Sequence, residues 1–267
     1  MPHLDYDGLR LHYTLHGLGG RGAPTIVLLH GLGSCGDDWL FQLPTLTPRY
    51  PVLTLDLPGH GESSLPRGRF STAALARPVA GLLGSLGLTP AHVVGLSLGG
   101  VVALQLALDA PSKVRSLVLV NSFARLSQPP RSVLRGLVRV ALLLAAPMSW
   151  TGAWVGSGLF PRPDQRPLRE AAAQRIASNS RAAYLRMMGA VLRSDLSGRL
   201  GEIRVPTLVV AGSEDRTVPL PAKVGIARGI EGARLEVIEG SGHATPIDAA
   251  EAFNSLLLEF LDGIERD

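Results

Sequence analysis

Cysteine and lysine are nearly missing from this chain, and long uninterrupted apolar runs are missing too. Cys35 is the sole cysteine, so no intrachain disulfide can form, which is typical of a reducing compartment. The longest strongly apolar stretch, residues 133–146, contains Arg135 and Arg139 and is too short to cross a bilayer. The N-terminal residues lack the basic and apolar pattern of a secretory signal. These absences predict a cytoplasmic protein without stable membrane insertion.

Because lysine is rare, arginine carries most of the positive charge, and its distribution is uneven. Lys113 and Lys223 are the only lysines in a chain of net charge +4. Residues 121–200 contain 12 arginines and three acidic residues, a local balance of +9 that leaves the rest of the chain at −5. Since these arginines belong to no recognisable helix-turn-helix, zinc or RNA-binding motif, nucleic-acid binding is not expected.

Apolar, β-branched runs alternate with helical patterns along most of the 267 residues, and a hydrophobic content of 46% is ample for a core. This alternation predicts an α/β fold with a mostly parallel, twisted sheet of about eight strands and helices on both faces. Candidate strands cover residues 9–15, 25–29, 52–55, 93–96, 116–120, 207–211 and 234–238, and candidate helices cover 37–46, 72–86, 98–108, 221–229 and 249–261. The first strand follows an Asp7-Gly8 turn signal, which is also compatible with an antiparallel edge.

The alternation is interrupted between residues 123 and 200, where several helices with Pro and Gly breaks follow one another. We therefore expect an α/β core over residues 1–122 and 201–267 and a helical cap over residues 123–200. Ligands of open parallel sheets bind beyond the carboxyl ends of the strands, so a cap leaving that edge would cover the site. Eight apolar residues are available at helical spacings to line a pocket: Phe123, Leu126, Leu137, Leu144, Met148, Trp150, Leu185 and Met188.

The segment HVVGLSLGG, residues 92–100, places a serine at the end of a predicted buried strand. Gly95, Gly99 and Gly100 surround Ser97 and remove side chains that would clash in a sharp turn from strand to helix. A helix beginning after the serine would supply free N–H groups and a positive dipole end, both suited to an oxyanion. A chain with 31 glycines can produce this pattern by chance, so the prediction of a nucleophile depends on a base and an acid elsewhere.

A serine nucleophile needs a histidine base, and the histidine needs a carboxylate that fixes its tautomer. Of the seven histidines, only His243 follows the candidate nucleophile, in the loop EGSGHATPID between the last strand and the last helix. Asp215, in TLVVAGSEDRTVP, follows a buried strand and is preferred to its neighbour Glu214. The alternatives are Asp195, within the predicted cap, and Asp248, at the start of the final helix.

Four motifs in this order resemble those of the α/β-hydrolase superfamily, in its esterase-like branch. They are LLHGLG at 28–33, similar to the oxyanion loop, DLPGHGES at 56–63, similar to the D-x-x-G-x-G-x-S turn, GLSLGG at 95–100, similar to the nucleophile elbow, and GSEDRTVP with GSGHATP, similar to the acid and base loops. The resemblance covers nearly the whole chain apart from the predicted cap. It implies the α/β-hydrolase fold, a catalytic triad of Ser97, Asp215 and His243, and an oxyanion hole formed by the backbone N–H groups of Leu32 and Leu98.

The resemblance also narrows the chemistry, because the dehalogenase and epoxide-hydrolase branches carry aspartate where this elbow has serine. It implies hydrolysis of carboxylic esters through an acyl-enzyme intermediate, and the apolar residues available in the predicted cap favour short-to-medium acyl chains. Enol-lactonase, carbon–carbon bond hydrolase and cofactor-free haloperoxidase remain alternatives, although Leu96 and Leu98 depart from the G-N-S-M-G-G elbow of the carbon–carbon hydrolases. A ligand-binding receptor that retains the triad is the non-enzyme alternative. The histidines lack the spacing of zinc ligands, and no G-x-G-x-x-G motif of dinucleotide-binding proteins follows a predicted strand. No metal or organic cofactor is therefore expected.

The elbow and the DLPGHGES turn also resemble those of esterases that act on pimeloyl-carrier-protein methyl ester, which gives the basic cap a candidate role. Arg131, Arg135 and Arg139 recur every four residues and fall along one face of a predicted helix. A solvated stripe is the ordinary interpretation. The alternative is an acidic partner, either a carrier protein or an anionic membrane surface. The expected substrate is otherwise a small-molecule ester.

Overall fold

An eight-stranded, mostly parallel sheet forms the centre of the molecule, as the alternation of strands and helices predicts. The computed structural model describes residues 2–17, 22–66, 68, 70–126 and 130–266, with the backbone alone at 130–136. The strands are β1 (His3–Tyr6), β2 (Leu9–His16), β3 (Ile26–Leu29), β4 (Val52–Leu55), β5 (Ala91–Leu96), β6 (Val114–Val120), β7 (Thr207–Gly212) and β8 (Arg234–Ile238). They are ordered β1-β2-β4-β3-β5-β6-β7-β8 across the sheet.

The N-terminal edge of the sheet contains one strand that the sequence did not predict. β1 has only four residues, too few for an alternating pattern to stand out. It joins β2 through a turn at Asp7 and Gly8, which have φ values of 50° and 72°, and glycine tolerates such values without a steric cost. β2 pairs antiparallel with both β1 and β4, whereas the remaining strands pair in parallel. The antiparallel edge suggested by the turn signal is therefore present.

Four of the five predicted helices are present with bounds shifted by at most five residues, and the described ranges contain ten α-helices in all. They are α1 (Leu43–Leu46), α2 (Thr72–Ser85), α3 (Leu98–Asp109), α4 (Pro130–Ala145), α5 (Met148–Leu159), α6 (Arg166–Ala177), α7 (Arg181–Arg193), α8 (Leu220–Gly229), α9 (Thr245–Asp248) and α10 (Ala250–Arg266), with 3-10 turns at Gly36–Trp39, Pro111–Lys113, Pro163–Gln165 and Ser197–Glu202. The helix predicted over 37–46 is split into a 3-10 turn and α1, because Pro44 is accommodated in the first turn of a helix rather than in its interior. Within the described ranges, no helix has the length and apolar character needed to span a membrane.

Side chains alternate along the central strands and build an apolar layer on each face of the sheet. On β3, Val27 and Leu29 join the layer that contains residues of α2, α3 and α8. Ile26 and Leu28 join the opposite layer, which contains residues of α1 and α10. All four side chains are fully buried, as expected for a parallel strand covered on both faces. The central strands are thus held rigidly, and their carboxyl ends provide fixed positions for a site.

Four helices, α4 to α7, lie between β6 and β7 in the chain, and we call them the cap. Its own apolar cluster is centred on Leu143, Ile176 and Tyr184, and Leu32 of the α/β part packs against it. Where the chain returns from the cap to the sheet, the N–H of Leu196 donates to the carbonyl of Ala124 at 2.9 Å. The cap therefore packs against the segment predicted to form the oxyanion loop.

Candidate active site

Ser97 occupies a sharp turn between β5 and α3. Its backbone has φ 53° and ψ −111°, a conformation that costs free energy and that functional sites often retain. The turn is tied down on both sides, because the N–H of Ser97 donates to the carbonyl of Val120 at 2.9 Å and its carbonyl accepts from the Ser122 hydroxyl at 2.8 Å. The serine side chain is therefore held at the carboxyl end of a central strand.

Two glycines allow α3 to approach the sheet closely behind this serine. A Cβ atom on Gly95 would lie 2.4 Å from the carbonyl carbon of Gly99. A Cβ atom on Gly99 would lie 2.1 Å from the backbone oxygen of Leu29. Real Cβ atoms do not approach backbone atoms this closely, and the backbone cannot move aside cheaply in a packed interior. The two glycines are thus required by packing, since neither has a positive φ that would itself favour glycine.

Gly99→Ala should lower the free energy of unfolding by at least about 2 kcal/mol, because the added methyl group overlaps β3. Gly263→Ala is the matched control, since that glycine lies inside α10 and a methyl group added there would have no atom within 4 Å. The control should stabilise the protein by about 0.5–1 kcal/mol through helix propensity. Denaturant unfolding of both variants measures the difference. Equal stability of the two would show that the elbow is not tightly packed.

The side chains of His243 and Asp215 meet at the same edge of the sheet. Nδ1 of His243 lies 3.0 Å from Oδ2 of Asp215, and because a carboxylate only accepts, Nδ1 carries the proton and Nε2 is left to accept one. Oδ2 also accepts from Nζ of Lys223 at 2.7 Å. Oδ1 accepts from the backbone N–H groups of Thr217 and Val218 at 2.8 and 3.1 Å. Asp215 therefore has a donor on every side and is fixed in orientation.

The surroundings of Asp215 keep its carboxylate ionised. Burial alone would raise its pKa, but the charges and hydrogen bonds of His243 and Lys223 outweigh burial, and the pKa lies well below the ordinary value. Burial lowers the pKa of Lys223, and the adjacent carboxylate opposes that change. The side chains of Lys223 and Asp215 are both completely buried. Asp215 is thus one half of a buried ion pair.

Sequence reasoning missed Lys223, although one signal was available. It is one of two lysines in a chain that otherwise uses arginine, and it lies between Ala222 and Val224 on a predicted helix. An ammonium group among apolar neighbours usually has a carboxylate partner. The segment alone could not identify that partner, because contact with Asp215 depends on how α8 packs against the loop after β7.

Lys223→Met should lower the free energy of unfolding by about 3 kcal/mol, because the buried carboxylate of Asp215 loses its ammonium partner. Methionine keeps most of the packing volume of lysine, so a cavity does not account for the loss. Lys113→Met, which changes the other lysine, should stay within about 0.5 kcal/mol of the parent. Denaturant unfolding measures both variants, and equal stability of the two would show that the ion pair adds nothing to the fold.

The loop that carries His243 is held by Asn121, which sequence reasoning also missed. Its side-chain N–H₂ donates to the carbonyls of Gly242 and His243 at 3.1 and 2.9 Å and to the Thr245 hydroxyl at 2.8 Å. Its oxygen accepts from the N–H of Gly212 at 2.8 Å. Asn121 comes directly after β6 and has φ 45°, which asparagine tolerates better than most residues. The buried amide of Asn121 thus fixes the loop that carries His243 to the end of β7.

The two alternative carboxylates have other partners. Asp248 accepts from the Ser241 hydroxyl and from the backbone N–H of Gly242, each at 2.7 Å. Asp195 is exposed and accepts from the Ser197 hydroxyl and N–H at the end of the cap. Neither is hydrogen-bonded to the ring of His243. Geometry therefore favours Asp215 as the acid.

The predicted oxyanion loop is organised by a buried histidine. His30 donates from Nδ1 to the carbonyl of Gly31 at 2.8 Å and accepts at Nε2 from the N–H of Leu57 at 2.9 Å. Burial lowers its pKa, which keeps the ring neutral, as this pattern of bonds requires. Leu32 follows in the loop, and Leu98 opens α3, where the N–H groups have no acceptor within the helix. Both leucines line the same cavity as Ser97.

Two other potentially reactive side chains near the predicted oxyanion loop, Asp56 and Cys35, are held in forms that do not favour catalysis. Asp56 accepts from the N–H groups of Gly36 and Glu62 and from the ring of His12, each at 2.8 to 2.9 Å. Burial would raise its pKa, but the backbone hydrogen bonds outweigh burial and lower it. Burial raises the pKa of the Cys35 thiol to about 12, so the thiol stays protonated and is a poor nucleophile.

A cavity of about 220 Å³ brings Ser97 and His243 together beneath the cap. Asp215 lies behind the histidine and does not line the cavity. No hydrogen bond joins the Ser97 hydroxyl to His243 in this structure, and such contacts often tighten only when substrate binds. Among the described residues, no group of three His, Cys, Asp or Glu side chains is arranged to hold a metal ion. The cavity therefore presents the Ser97 hydroxyl, the His243 imidazole and backbone N–H donors to a bound ligand.

The apolar wall of the cavity differs from the predicted set. Of the eight predicted residues, Phe123 and Leu126 line the cavity. Leu137, Leu144 and Trp150 are exposed, at 60%, 66% and 64% of their full accessible surface, while Met148, Leu185 and Met188 pack within the cap cluster. The cap contributes Trp154, Val155, Leu159, Phe160, Ala172 and Val191 instead. Helical spacing groups residues on a face but does not say which face turns inward.

The structure describes one side chain of the predicted arginine stripe. Arg139 lines the cavity, while the side chains of Arg131 and Arg135 lie outside the described residues. The charged face of α4 therefore turns at least one of its three arginines toward the site.

Comparison with known proteins agrees with this architecture. The model of the alpha/beta hydrolase family matches residues 26–256. A protein of Stutzerimonas stutzeri, provisionally named carbamate hydrolase RutD, is 34% identical over 261 residues, which cover 94% of this chain and 96% of that protein.

Two solved structures resemble the chain over nearly its whole length. A hydrolase from Pseudomonas aeruginosa has a TM-score of 0.87 and 34% identity, covering 97% of both chains. The enol-lactonase from Burkholderia xenovorans has a TM-score of 0.90 and 27% identity, covering 98% of this chain and 100% of the other.

Proposed function

Because the chain belongs to the alpha/beta hydrolase family and is a hydrolase, we propose that it cleaves carboxylic esters through an acyl-enzyme intermediate on Ser97. The observation that carries this proposal is the bond between Nδ1 of His243 and Oδ2 of Asp215, which leaves Nε2 as an acceptor in the cavity that Ser97 also lines. We further propose that residues 1–122 and 201–267 act as the core and residues 123–200 as the cap.

In the first half-reaction, Nε2 of His243 takes the hydroxyl proton as the Ser97 oxygen attacks the ester carbonyl. Asp215 stabilises the imidazolium that forms. The carbonyl oxygen becomes an oxyanion and accepts hydrogen bonds from the N–H groups of Leu32 and Leu98. The tetrahedral intermediate then collapses, the C–O bond to the alcohol breaks, and the imidazolium returns its proton to the departing alcohol.

In the second half-reaction, water attacks the acyl group on Ser97 and gives a proton to His243. The oxyanion forms again in the same place and is stabilised by the same donors. Its collapse breaks the bond to the serine oxygen, which regains the proton from the histidine. The carboxylic acid leaves, and the enzyme returns to its starting state.

The size of the cavity supports a small substrate with a short-to-medium acyl chain. A volume of about 220 Å³ is near the low end for ligand sites, and its wall is mostly apolar. A long-chain acyl group would need the cap to move. No comparison supports a carrier protein as partner, so the proposed substrate is a small molecule.

Carbamate hydrolysis is a second candidate, because the name of a relative that matches 94% of the chain points to it. The same serine, base and oxyanion donors can attack a carbonyl flanked by nitrogen. The apolar wall supports an ester more directly, since it offers few acceptors for an N–H group. Enol-lactone hydrolysis uses the same steps on a cyclic ester and is named for one structural neighbour.

A substrate panel tests the proposal. It contains p-nitrophenyl esters from acetate to palmitate, lactones, carbamates and a ring-cleavage diketone. We expect continuous turnover that is fastest on short-to-medium esters. A fastest rate on carbamates would replace the ester proposal, and a single acylation without further turnover would favour a receptor.

A further inference from the structure

Arg139 is a cationic group in the wall of the cavity that holds Ser97. Its guanidinium carbon lies 5.0 Å from the centre of the Tyr184 ring. Its Nε atom is buried and has no hydrogen-bond partner among the described residues. Burial lowers its pKa to about 10, which still leaves the side chain charged at neutral pH. A charged donor therefore faces the site with part of its hydrogen-bonding capacity unused.

The described part of the chain provides no carboxylate to neutralise Arg139. Burial is the sole cause of its pKa change, with no acidic group opposing it. The neighbouring segment, residues 127–136, contains neither Asp nor Glu. Asp38 lines the same cavity, but it accepts from the Ser34 hydroxyl and lies 3.5 Å from the guanidinium of Arg175. The acidic residue of the wall is already paired with another arginine.

A second arginine strengthens the positive character of the cavity. Arg216, in the loop after β7, also lines the wall, is exposed, and forms no ion pair within the described ranges. Cationic groups on separate elements around an apolar cavity focus a positive potential within it. An anion entering this space would be attracted by both arginines and meet no unpaired carboxylate among the described wall residues.

We propose that Arg139 binds a carboxylate of the substrate, so that the preferred ester carries an anionic group in addition to the bond that Ser97 attacks. This rests on the proposed function, because it assigns the cavity to the substrate of that serine. A planar guanidinium matches a carboxylate with two parallel hydrogen bonds. Such a ligand also compensates the cost of leaving a partly buried cation without a carboxylate partner. Arg216 attracts the anionic substrate toward the cavity, whereas Arg139 binds its carboxylate and so distinguishes anionic from neutral esters.

Matched ester pairs test the carboxylate preference. Monoethyl glutarate is compared with ethyl valerate, and 4-acetoxybutyrate with butyl acetate, so that each pair differs mainly in a terminal carboxylate. For at least one pair we expect the parent to favour the anion in kcat/KM. Arg139→Met should lower kcat/KM for that anion by about 10- to 100-fold, mainly through KM, and lower it by a much smaller factor for the neutral partner. Arg166→Met, at an exposed cap arginine that pairs with Glu170, should change neither.

Binding to an inactive protein separates this inference from the proposed function. Calorimetry of glutarate with Ser97→Ala should give a Kd that rises about tenfold or more when Arg139→Met is added. If the parent hydrolyses neutral esters but glutarate binding does not depend on Arg139, the inference is wrong and the proposed function stands. If no ester is hydrolysed and the Arg139-dependent binding remains, the proposed function fails and the anion site stands. Equal losses on both members of an ester pair would assign Arg139 to packing and overturn the inference.

Discussion

Ser97→Ala should lower kcat/KM for ester hydrolysis by about 10³-fold or more, because the hydroxyl is the attacking group. The free energy of unfolding should change by less than about 1 kcal/mol. Alanine occupies nearly the same space, tolerates φ 53° no worse than serine, and leaves no buried partner of the hydroxyl unsatisfied. Steady-state kinetics on the best ester and denaturant unfolding of the same preparation measure the two effects.

The histidine provides the companion test. His243→Ala should lose a comparable amount of activity, and the double variant Ser97→Ala/His243→Ala should be little worse than either single variant, because triad members act as a unit. Losses that multiply in the double variant would indicate independent roles. A clean preparation of Ser97→Ala that keeps a tenth of the parental activity would contradict the assignment of the nucleophile.

Asp215→Asn should lower turnover by about 10³- to 10⁴-fold, since an amide can hold the imidazole of His243 in the wrong tautomer. From the sequence alone, there is no reason to expect a loss of stability from this change. The structure provides one, because Lys223 has a completely buried side chain and would lose its anionic partner. We expect a decrease in the free energy of unfolding of about 2–4 kcal/mol.

Two further variants control this prediction. Glu214→Gln changes the adjacent exposed carboxylate and should leave both activity and stability within about twofold and 0.5 kcal/mol of the parent. Asp215→Asn/Lys223→Met removes both members of the buried pair and should recover part of the stability lost in Asp215→Asn, without recovering activity. If Glu214→Gln and Asp215→Asn exchange their effects, the acid is one residue from where we place it.

The sheet was predictable because strand signals are local. Parallel strands buried on both faces give continuous apolar runs, as at Val93 to Leu96, and glycine or polar clusters mark their ends. The order of serine, acid and base along the chain then limited the candidates, and the structure brings Ser97, Asp215 and His243 to one edge of the sheet. This proximity could be predicted because the carboxyl ends of parallel strands lie at the same edge of a sheet.

The interactions that tune the site were not predictable, because they depend on how elements pack. Lys223 meets Asp215 only through the placement of α8, and Asn121 reaches the base loop only because β6 and β7 are neighbours. The spacing of the α4 arginines defined a face but not its direction, so the sequence left a solvated stripe and a partner surface open, whereas Arg139 lines the cavity. Local periodicity specifies which residues share a face, whereas tertiary packing decides what that face contacts.

If Ser97 carries the acyl group during turnover, the acyl-enzyme intermediate can be trapped and its position on the chain identified. The protein is mixed with p-nitrophenyl acetate, quenched in acid within the first turnover, digested and examined by mass spectrometry. We expect one acetyl group on the peptide that contains Ser97, fragmentation that places it on that serine, and no such peptide from Ser97→Ala. Acetylation of a different residue that tracks turnover, or full activity with no acylated serine at any quench time, would contradict this expectation.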